Sequence, residues 1–174
     1  MKPISHRARW VTAVFFLLTF FSAGGGTVES LVNYPTWLLI GAAEFKAYHQ
    51  ALGPRIVASM VLPALFATVF NVLMLWFRPS AIPRWSVWTL FILGLIGWVS
   101  TAVIQIPIQA QLDETGFSKE AIERLISTDL PLRVIPGFLR LGLAFWMLLR
   151  IMTPYAHQTS GLAPGYAGFS GLKY

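Results

Sequence analysis

The sequence predicts an all-α integral membrane protein folded as a four-transmembrane-helix bundle. Composition points to this class, because 56% of the 174 residues are hydrophobic and only 11% are charged. The arrangement agrees with it, because four apolar runs are each long enough to cross a bilayer core of about 30 Å. We expect one four-span membrane domain at residues 1–152 and an irregular cytoplasmic tail at residues 153–174.

The charged residues indicate membrane topology rather than a nucleic-acid partner. The formal net charge is +6, but the Lys and Arg residues are scattered at the ends of apolar runs and form no basic stripe. The chain has no cysteine, which excludes disulfides, thiolate metal sites, iron–sulfur clusters and cysteine nucleophiles. Iron or haem could still bind through histidine and carboxylate ligands, although the sequence requires no cofactor and no ligand pair has diagnostic spacing.

The first span is predicted at Trp10 to Val32. Its basic start and the small residues 22–24 also fit a cleavable signal peptide, but hydrophobicity continues to Val32 and we expect an uncleaved span. The next stretch, Asn33 to Arg55, is too short to cross the membrane and too apolar for an ordinary loop. We therefore predict a short re-entrant or interfacial helix at Thr36 to Leu52, which ends at Gly53-Pro54.

Three further spans complete the predicted bundle. They cover Ile56–Phe77, Trp85–Ile108 and Leu132–Met152, and Pro107 predicts a kink near the end of the second of these. Residues 78–84 form a tight basic turn. The polar stretch 113–129, with Ser118 as its helix N-cap, predicts an amphipathic helix between the third and fourth spans.

Basic residues predict the orientation of the bundle in the cell (inner) membrane. The N-terminal segment, the turn at 78–84 and Arg150 all fall on one side, which should be cytoplasmic. Both termini would then be cytoplasmic. The opposite side is near neutral at residues 29–55 and acidic at residues 113–129.

Polar residues on different spans predict a site in the outer half of the membrane. Thr101, Gln105, Gln109 and Asp113 recur every four residues and would lie along one helix face. Counting helical rise places Glu29, Gln105 and Arg140 at similar depths. The predicted site contains two groups: Glu29, Asn33, Gln105, Gln109, Asp113 and Arg140 within the bundle, and Glu44, Tyr48 and His49 above them.

Each candidate also has a structural interpretation. As catalytic residues, Glu29 or Glu44 would act as a base, His49 would be an alternative proton carrier, and Arg140 with Gln105 would stabilise an oxyanion. The predicted substrate-binding residues are Asn33, Tyr48, Gln105, Gln109 and Asp113. Structurally, Arg140 could instead pair with Glu29, the two Gln amides could hold helices together, and His49 could simply be solvated. No metal site is predicted.

Three motifs resemble the anthrone-oxygenase-like family of small membrane proteins, most of which have no assigned function. They are GGGTVESLVNYP at the end of the first span, FKAYHQALG after it, and IPIQAQL in the third span. This chain has Gln109 and Gln111 where family members tend to carry Asn. The resemblance implies a four-helix membrane bundle and, for a minority of the family, oxygenation of a polycyclic phenolic substrate without a bound cofactor.

Two classes of function follow from these features. The first is an oxygenase-like enzyme that acts on a lipophilic aromatic or quinone-like substrate entering from the bilayer. The alternative is a non-catalytic accessory subunit that binds a partner protein, a lipid or haem, as a homo-oligomer or within a larger membrane complex. A transporter is less well supported, because four spans without a repeat offer no evident alternating-access machinery. A concave pocket would favour the enzyme, whereas outward-facing polar residues would favour the accessory subunit.

Overall fold

Four long helices make up the part of the chain that the computed structural model describes, which is residues 5–159 with side chains to Met152. They are α1 at His6–Trp37, α2 at Ala42–Phe77, α3 at Arg84–Thr115, and α4 from Lys119 to Thr159. Each is long and apolar enough to cross a membrane, α4 through its Lys119–Met152 part. The predicted all-α class and the four long apolar helices are confirmed for the described residues, and they are compatible with a multi-pass membrane bundle.

The helices form a closed up-and-down ring. Each packs against its neighbours in sequence, and α4 closes the ring by packing against α1. We call the end that carries Ser5 and the 78–83 turn the proximal end, and the end that carries the turns at 38–41 and 116–118 the distal end. α4 continues to Thr159, beyond the expected end of the fourth span at Met152. Residues 160–174 of the predicted tail lie outside the described range.

Every helix changes from α to π geometry for five residues and then returns to α. These π turns are Glu29–Asn33, Val57–Val61, Thr101–Gln105 and Leu130–Val134. A proline stands two residues after each of them, at positions 35, 63, 107 and 136. Proline has no N–H and its ring crowds the carbonyl four residues earlier, so a locally wider turn lets the helix continue instead of ending. The kink expected at Pro107 therefore takes the form of a π turn.

The re-entrant helix predicted at Thr36 to Leu52 is not a separate element. The chain turns at residues 38–41, and the following α2 continues through Gly53-Pro54 to Phe77. Pro54 does not end the helix because the backbone N–H of Val57 bonds to the carbonyls of Gly53 and Pro54, which carries the chain into the π turn. The prediction failed because Gly-Pro, a strong breaker in water-soluble proteins, is tolerated in membrane helices.

The predicted amphipathic helix is observed at Lys119–Asp129, but it is the first part of α4. Ser118 is its N-cap, as predicted, because its hydroxyl accepts a hydrogen bond from the Ala121 N–H at 3.3 Å. Gly116 precedes it with a φ of 81°, a conformation that favours glycine. The helix joins the fourth span through the π turn Leu130–Val134.

Two hydrophobic cores close the ends of the bundle. The proximal core contains buried Phe15, Phe16, Met74, Ile82, Val87, Leu90, Ala144 and Met147. The distal core contains Tyr34, Trp37, Phe45, Ile108, Leu112, Ala121, Ile122 and Leu125. Packing is much looser between them, and the π turn of α2 has no buried residue. The space that the middle of the bundle leaves open is the cavity described next.

Candidate functional site: an interhelical cavity

A cavity of about 930 Å³ lies inside the ring and is lined by all four helices. On α3 its lining extends from Leu93 to Asp113, which corresponds to about 30 Å at about 1.5 Å per residue. The cavity is therefore elongated and runs along the bundle. Most of its walls are apolar, and the polar side chains are concentrated towards the distal end, with a smaller group deeper inside. An apolar cavity with a few convergent polar groups is typical of a small-molecule site.

His49 joins α2 to α3 at the distal end of this cavity. It is 3% exposed, and its Nδ1 lies 2.7 Å from an Asp113 carboxylate oxygen while its Nε2 lies 2.6 Å from the Gln109 amide oxygen. Asp113 is half exposed, so the carboxylate reaches solvent while the ring is enclosed. The solvated interpretation of His49 is therefore wrong.

Two aromatic side chains pack against the His49 imidazole and hold its orientation. Phe45, one turn earlier on α2, stacks on it with centroids 5.5 Å apart, and Trp37 meets it edge-on at 4.9 Å. Phe45 and His49 stand four residues apart and therefore share one face of α2. The predicted ladder on α3 is also observed, since Thr101, Gln105, Gln109 and Asp113 all line the cavity.

Gln105 is the most enclosed member of that ladder. It is 2% exposed, and neither its amide nitrogen nor its amide oxygen has a hydrogen-bond partner among the described residues. This differs from the structural interpretation, in which the amide would hold helices together. A buried amide without partners is costly, and a molecule in the cavity could supply them.

Glu29 belongs to a second polar group, between α1 and α4. Its carboxylate accepts a hydrogen bond from the Asn33 amide at 2.6 Å, and it lies within electrostatic reach of Arg133 and Asp129. Arg133 is held by a carboxylate oxygen of buried Asp129 at 3.0 Å and donates to the Tyr34 hydroxyl at 3.1 Å. Glu29, Tyr34 and Arg133 line the cavity, whereas Asn33 contributes only through Glu29.

Sequence analysis missed Tyr34, Asp129 and Arg133. The available signal was the spacing of Asp129 and Arg133, which stand four residues apart and so face the same side of a helix. It was overlooked because residues up to Asp129 were assigned to a surface helix, and Arg133 to the very start of the fourth span. In the structure both belong to one continuous α4.

Arg140 lies deeper than predicted, and the predicted ion pair with Glu29 is wrong. Arg140 forms no ion pair or hydrogen bond with any residue in the described range, and its buried Nε has no partner. The error came from counting depth from the wrong helix ends. Glu29 is eight residues from the distal end of α1, about 12 Å, whereas Arg140 is twenty-one residues from the start of α4, about 32 Å.

Two other predicted site residues lie outside the cavity. Glu44 and Tyr48 are exposed on α2 and do not line it. They face away because Phe45 and His49 occupy the inward side of the same helix. Within the described part of the chain, no three His, Asp or Glu side chains come together as a metal site would require.

Comparisons with protein-family models, with curated proteins and with solved structures find no match to this chain. The resemblance to the anthrone-oxygenase-like family therefore stays a prediction that rests on the three motifs.

Proposed function

We propose that this protein is a membrane enzyme, oxygenase-like in its chemistry, that binds a lipophilic aromatic or quinone-like molecule in the interhelical cavity. The observation that carries the proposal is the cavity itself, which is concave, has mostly apolar walls and is lined by Glu29, His49 and Gln105. A docking surface for a partner protein would instead present these side chains outward. The molecule would enter from the bilayer past the loosely packed π turn of α2.

His49 and Glu29 are the proposed proton acceptors. Asp113 holds the Nδ1 side of the imidazole and connects it to solvent, since Asp113 is half exposed. On the Nε2 side, the Gln109 amide can present either its oxygen or, after rotation, its NH₂ group. These two arrangements suit a protonated and a neutral ring respectively, and a substrate that displaces Gln109 from Nε2 would let the ring take up a proton from the cavity and pass it outward through Asp113.

Gln105 is the proposed binding group for the substrate oxygen. Its free amide N–H groups would donate to a phenolate as negative charge develops there. Deprotonation of a methylene beside such a ring gives an electron-rich anion that can reduce O₂ without a bound cofactor. The reaction balances as CH₂ + O₂ → C=O + H₂O, with the oxygen atoms divided between the ketone and water.

Oxygen uptake with anthrone as the probe tests this function. The protein in nanodiscs should consume O₂ and form the ketone product, and His49→Gln or Glu29→Gln should slow the reaction about a hundredfold, the usual contribution of a positioned proton acceptor. Glu114→Gln is the matched control, because Glu114 is exposed and adjacent to Asp113. Uptake no faster than in empty nanodiscs would contradict the enzyme proposal, and saturable binding without turnover would favour the accessory role.

We also propose that the proximal end faces the cytoplasm. Arg7, Arg9, Arg78 and Arg84 lie at this end, and Arg150 joins them by donating to the Ala81 carbonyl at 3.3 Å. The distal end carries exposed cations at Lys46, Lys119 and Arg124, but exposed carboxylates at Glu44, Glu114, Glu120 and Glu123 balance them there. This distribution follows the positive-inside rule.

Reporter fusions test this orientation. A fusion in the 78–83 turn and one after Met152 should report cytoplasm, and a fusion at Glu120 should report the outside. The inverted pattern would refute the proposed orientation.

A further inference from the structure

We propose that the deep end of the cavity binds the anionic group of a lipophilic acid, with Arg140 and Thr19 as its donors. The inference rests on the proposed function, since it names the substrate class of the same cavity. It assigns to Arg140 the role of a positioning and specificity residue, distinct from the proton acceptors at the distal end.

Arg140 is the first of two unsatisfied groups at this depth. Arg140 lines the cavity, its Nε is buried without a partner, and no acidic residue of the described chain pairs with it. Its carbon Cζ lies only 3.3 Å from the position that a Cβ on Gly94 would take. Glycine at position 94 therefore leaves room for the guanidinium against α3.

Thr19 is the second unsatisfied group and comes from α1. It is 4% exposed, it lines the cavity, and its hydroxyl has no hydrogen-bond partner in the described chain. Threonine hydroxyls in helices commonly donate to the carbonyl four residues earlier, as Thr27 and Thr68 do here. Thr19 does not, so its buried hydroxyl is left without an acceptor, and rotation about χ1 would turn it towards a molecule in the cavity.

Charge identifies the ligand as an anion. The nearest other cation on α4, Arg133, is seven residues away, about 10 Å, and is already paired with Asp129. The charge of Arg140 is thus left uncompensated by the described residues in a region of low dielectric, where an unpaired charge is costly. A carboxylate or phenolate would neutralise it and could accept two guanidinium N–H bonds at once.

Distance identifies the rest of the ligand. Gly94, which marks the level of the guanidinium, lies eleven residues before Gln105 on α3, about 16 Å along the helix. One small polar group cannot reach both. A ligand whose acid binds Arg140 must therefore have an apolar body of that length to place its other end beside Gln105, Glu29 and His49.

A matched pair of fluorescent probes tests the inference: pyrenebutyrate, which carries a carboxylate, and its uncharged methyl ester. Binding to the full chain in nanodiscs can be followed by energy transfer from the cavity-lining Trp37 and Trp98. The wild-type protein should bind the acid at least about tenfold more tightly than the ester.

Arg140→Met should reduce this preference for the acid to less than about twofold, because one charge-assisted contact is lost. Its affinity for the ester should not change. Arg140→Lys should keep part of the preference, and Thr19→Val should lose part of it. Displacement of the probe by oleate would identify straight-chain acids as ligands, and displacement only by an anthracene carboxylate would identify aromatic acids.

The outcomes separate this inference from the proposed function. Saturable ester binding with no preference for the acid, or a preference that survives in Arg140→Met, would overturn the lipophilic-acid assignment and leave the cavity function standing. Failure of both probes to bind would contradict the cavity function and this inference with it. If Arg140→Met does not fold, Gly94→Ala is the second variant, because its Cβ would displace the guanidinium by a few tenths of an ångström and should lower the preference in the same way.

Discussion

At the scale of single residues, two arginines on the same helix have opposite surroundings. Arg133 is paired with buried Asp129 and bonded to Tyr34, whereas Arg140 has no partner in the described chain. Removing one member of a buried pair leaves an uncompensated charge, but removing an unpaired buried charge relieves a cost. The same substitution should therefore have opposite effects at the two positions.

The first prediction concerns this pair of arginines. Arg133→Met should lower the free energy of unfolding by about 3 kcal/mol, because the buried Asp129 carboxylate is left without its cation. When no ligand is bound, Arg140→Met should leave the free energy of unfolding unchanged or raise it. Thermal unfolding in mild detergent, after extraction of bound molecules, measures both. A large destabilisation by Arg140→Met would mean that Arg140 has a structural role that its surroundings do not reveal.

The second prediction concerns His49. Asp113→Asn keeps the size of the side chain but replaces the carboxylate with a neutral amide, so the hydrogen bond to the buried ring is weakened. The free energy of unfolding should fall by about 1–3 kcal/mol. Glu114→Gln, at the neighbouring exposed position, should change it by less than about 0.5 kcal/mol. Equal effects of the two variants in chemical unfolding would show that the His49–Asp113 contact contributes no stability.

At the scale of elements, the repeated combination of a π turn and a proline sets which side chains face the cavity. A π turn holds more residues than an α turn, so it changes the direction of every side chain that follows. On α3 the π turn Thr101–Gln105 lies between the proximal core and the residues that bind His49. The contact between α2 and α3 therefore depends on the π turn.

The third prediction tests this dependence. Pro107→Ala removes the crowding that favours the π turn, so α3 should return to α geometry and rotate Gln109 and Asp113 away from His49. A double-mutant cycle between His49→Gln and Asp113→Asn should give a coupling energy of about 0.5–3 kcal/mol in the wild-type background and close to none with Pro107→Ala. Pro83→Ala, outside the helices, is the control. If the coupling energy between His49 and Asp113 persists in Pro107→Ala, the proline does not determine which way Gln109 and Asp113 face.

Much of the element layout could be predicted, because hydropathy and capping are local properties. The four spans, the Ser118 cap and the polar face of α3 all came from residues close together in sequence. The ends of the helices could not be predicted, because Gly53-Pro54 was treated as a boundary and the polar stretches around residues 33 and 129 were treated as loops or surface helices, although membrane helices continue past them. Because the depth of each residue was counted from these wrong helix ends, Glu29 and Arg140 were placed at the same depth and were predicted to pair. For the same reason, Arg133 was placed at the membrane surface and not in the site. Glu44 and Tyr48 were assigned to the site because the predicted Thr36–Leu52 helix was expected to cover it. In the structure this stretch is part of α2 and runs parallel to the bundle, so the two side chains face outward.

At the scale of the whole molecule, two packed cores hold a loosely packed middle. The distal core fixes His49 through Phe45 and Trp37, and the proximal core fixes the other ends of the helices. The buried apolar residues of both cores lie towards the ends of the bundle and leave its middle open. The middle can therefore stay open for a ligand while the ends keep the bundle folded.

The fourth prediction follows from this division. Gly97 lines the cavity, and a Cβ at this position would meet nothing within 4 Å. Gly97→Leu should therefore project an apolar side chain into the cavity, and it should leave thermal stability unchanged or raise it, because the helix gains a residue better than glycine. Marked destabilisation would mean that the space beside Gly97 is not open.

Binding of the uncharged pyrenebutyrate methyl ester by the wild-type protein and by Gly97→Leu, both in nanodiscs, tests the central claim most directly. The claim is that the interhelical cavity holds a lipophilic molecule. Energy transfer from tryptophan should saturate in the wild-type protein and weaken at least tenfold in the folded variant, since the introduced leucine side chain would occupy the same space. Equal, unsaturable transfer in both proteins would place the probe in the lipid and contradict the claim.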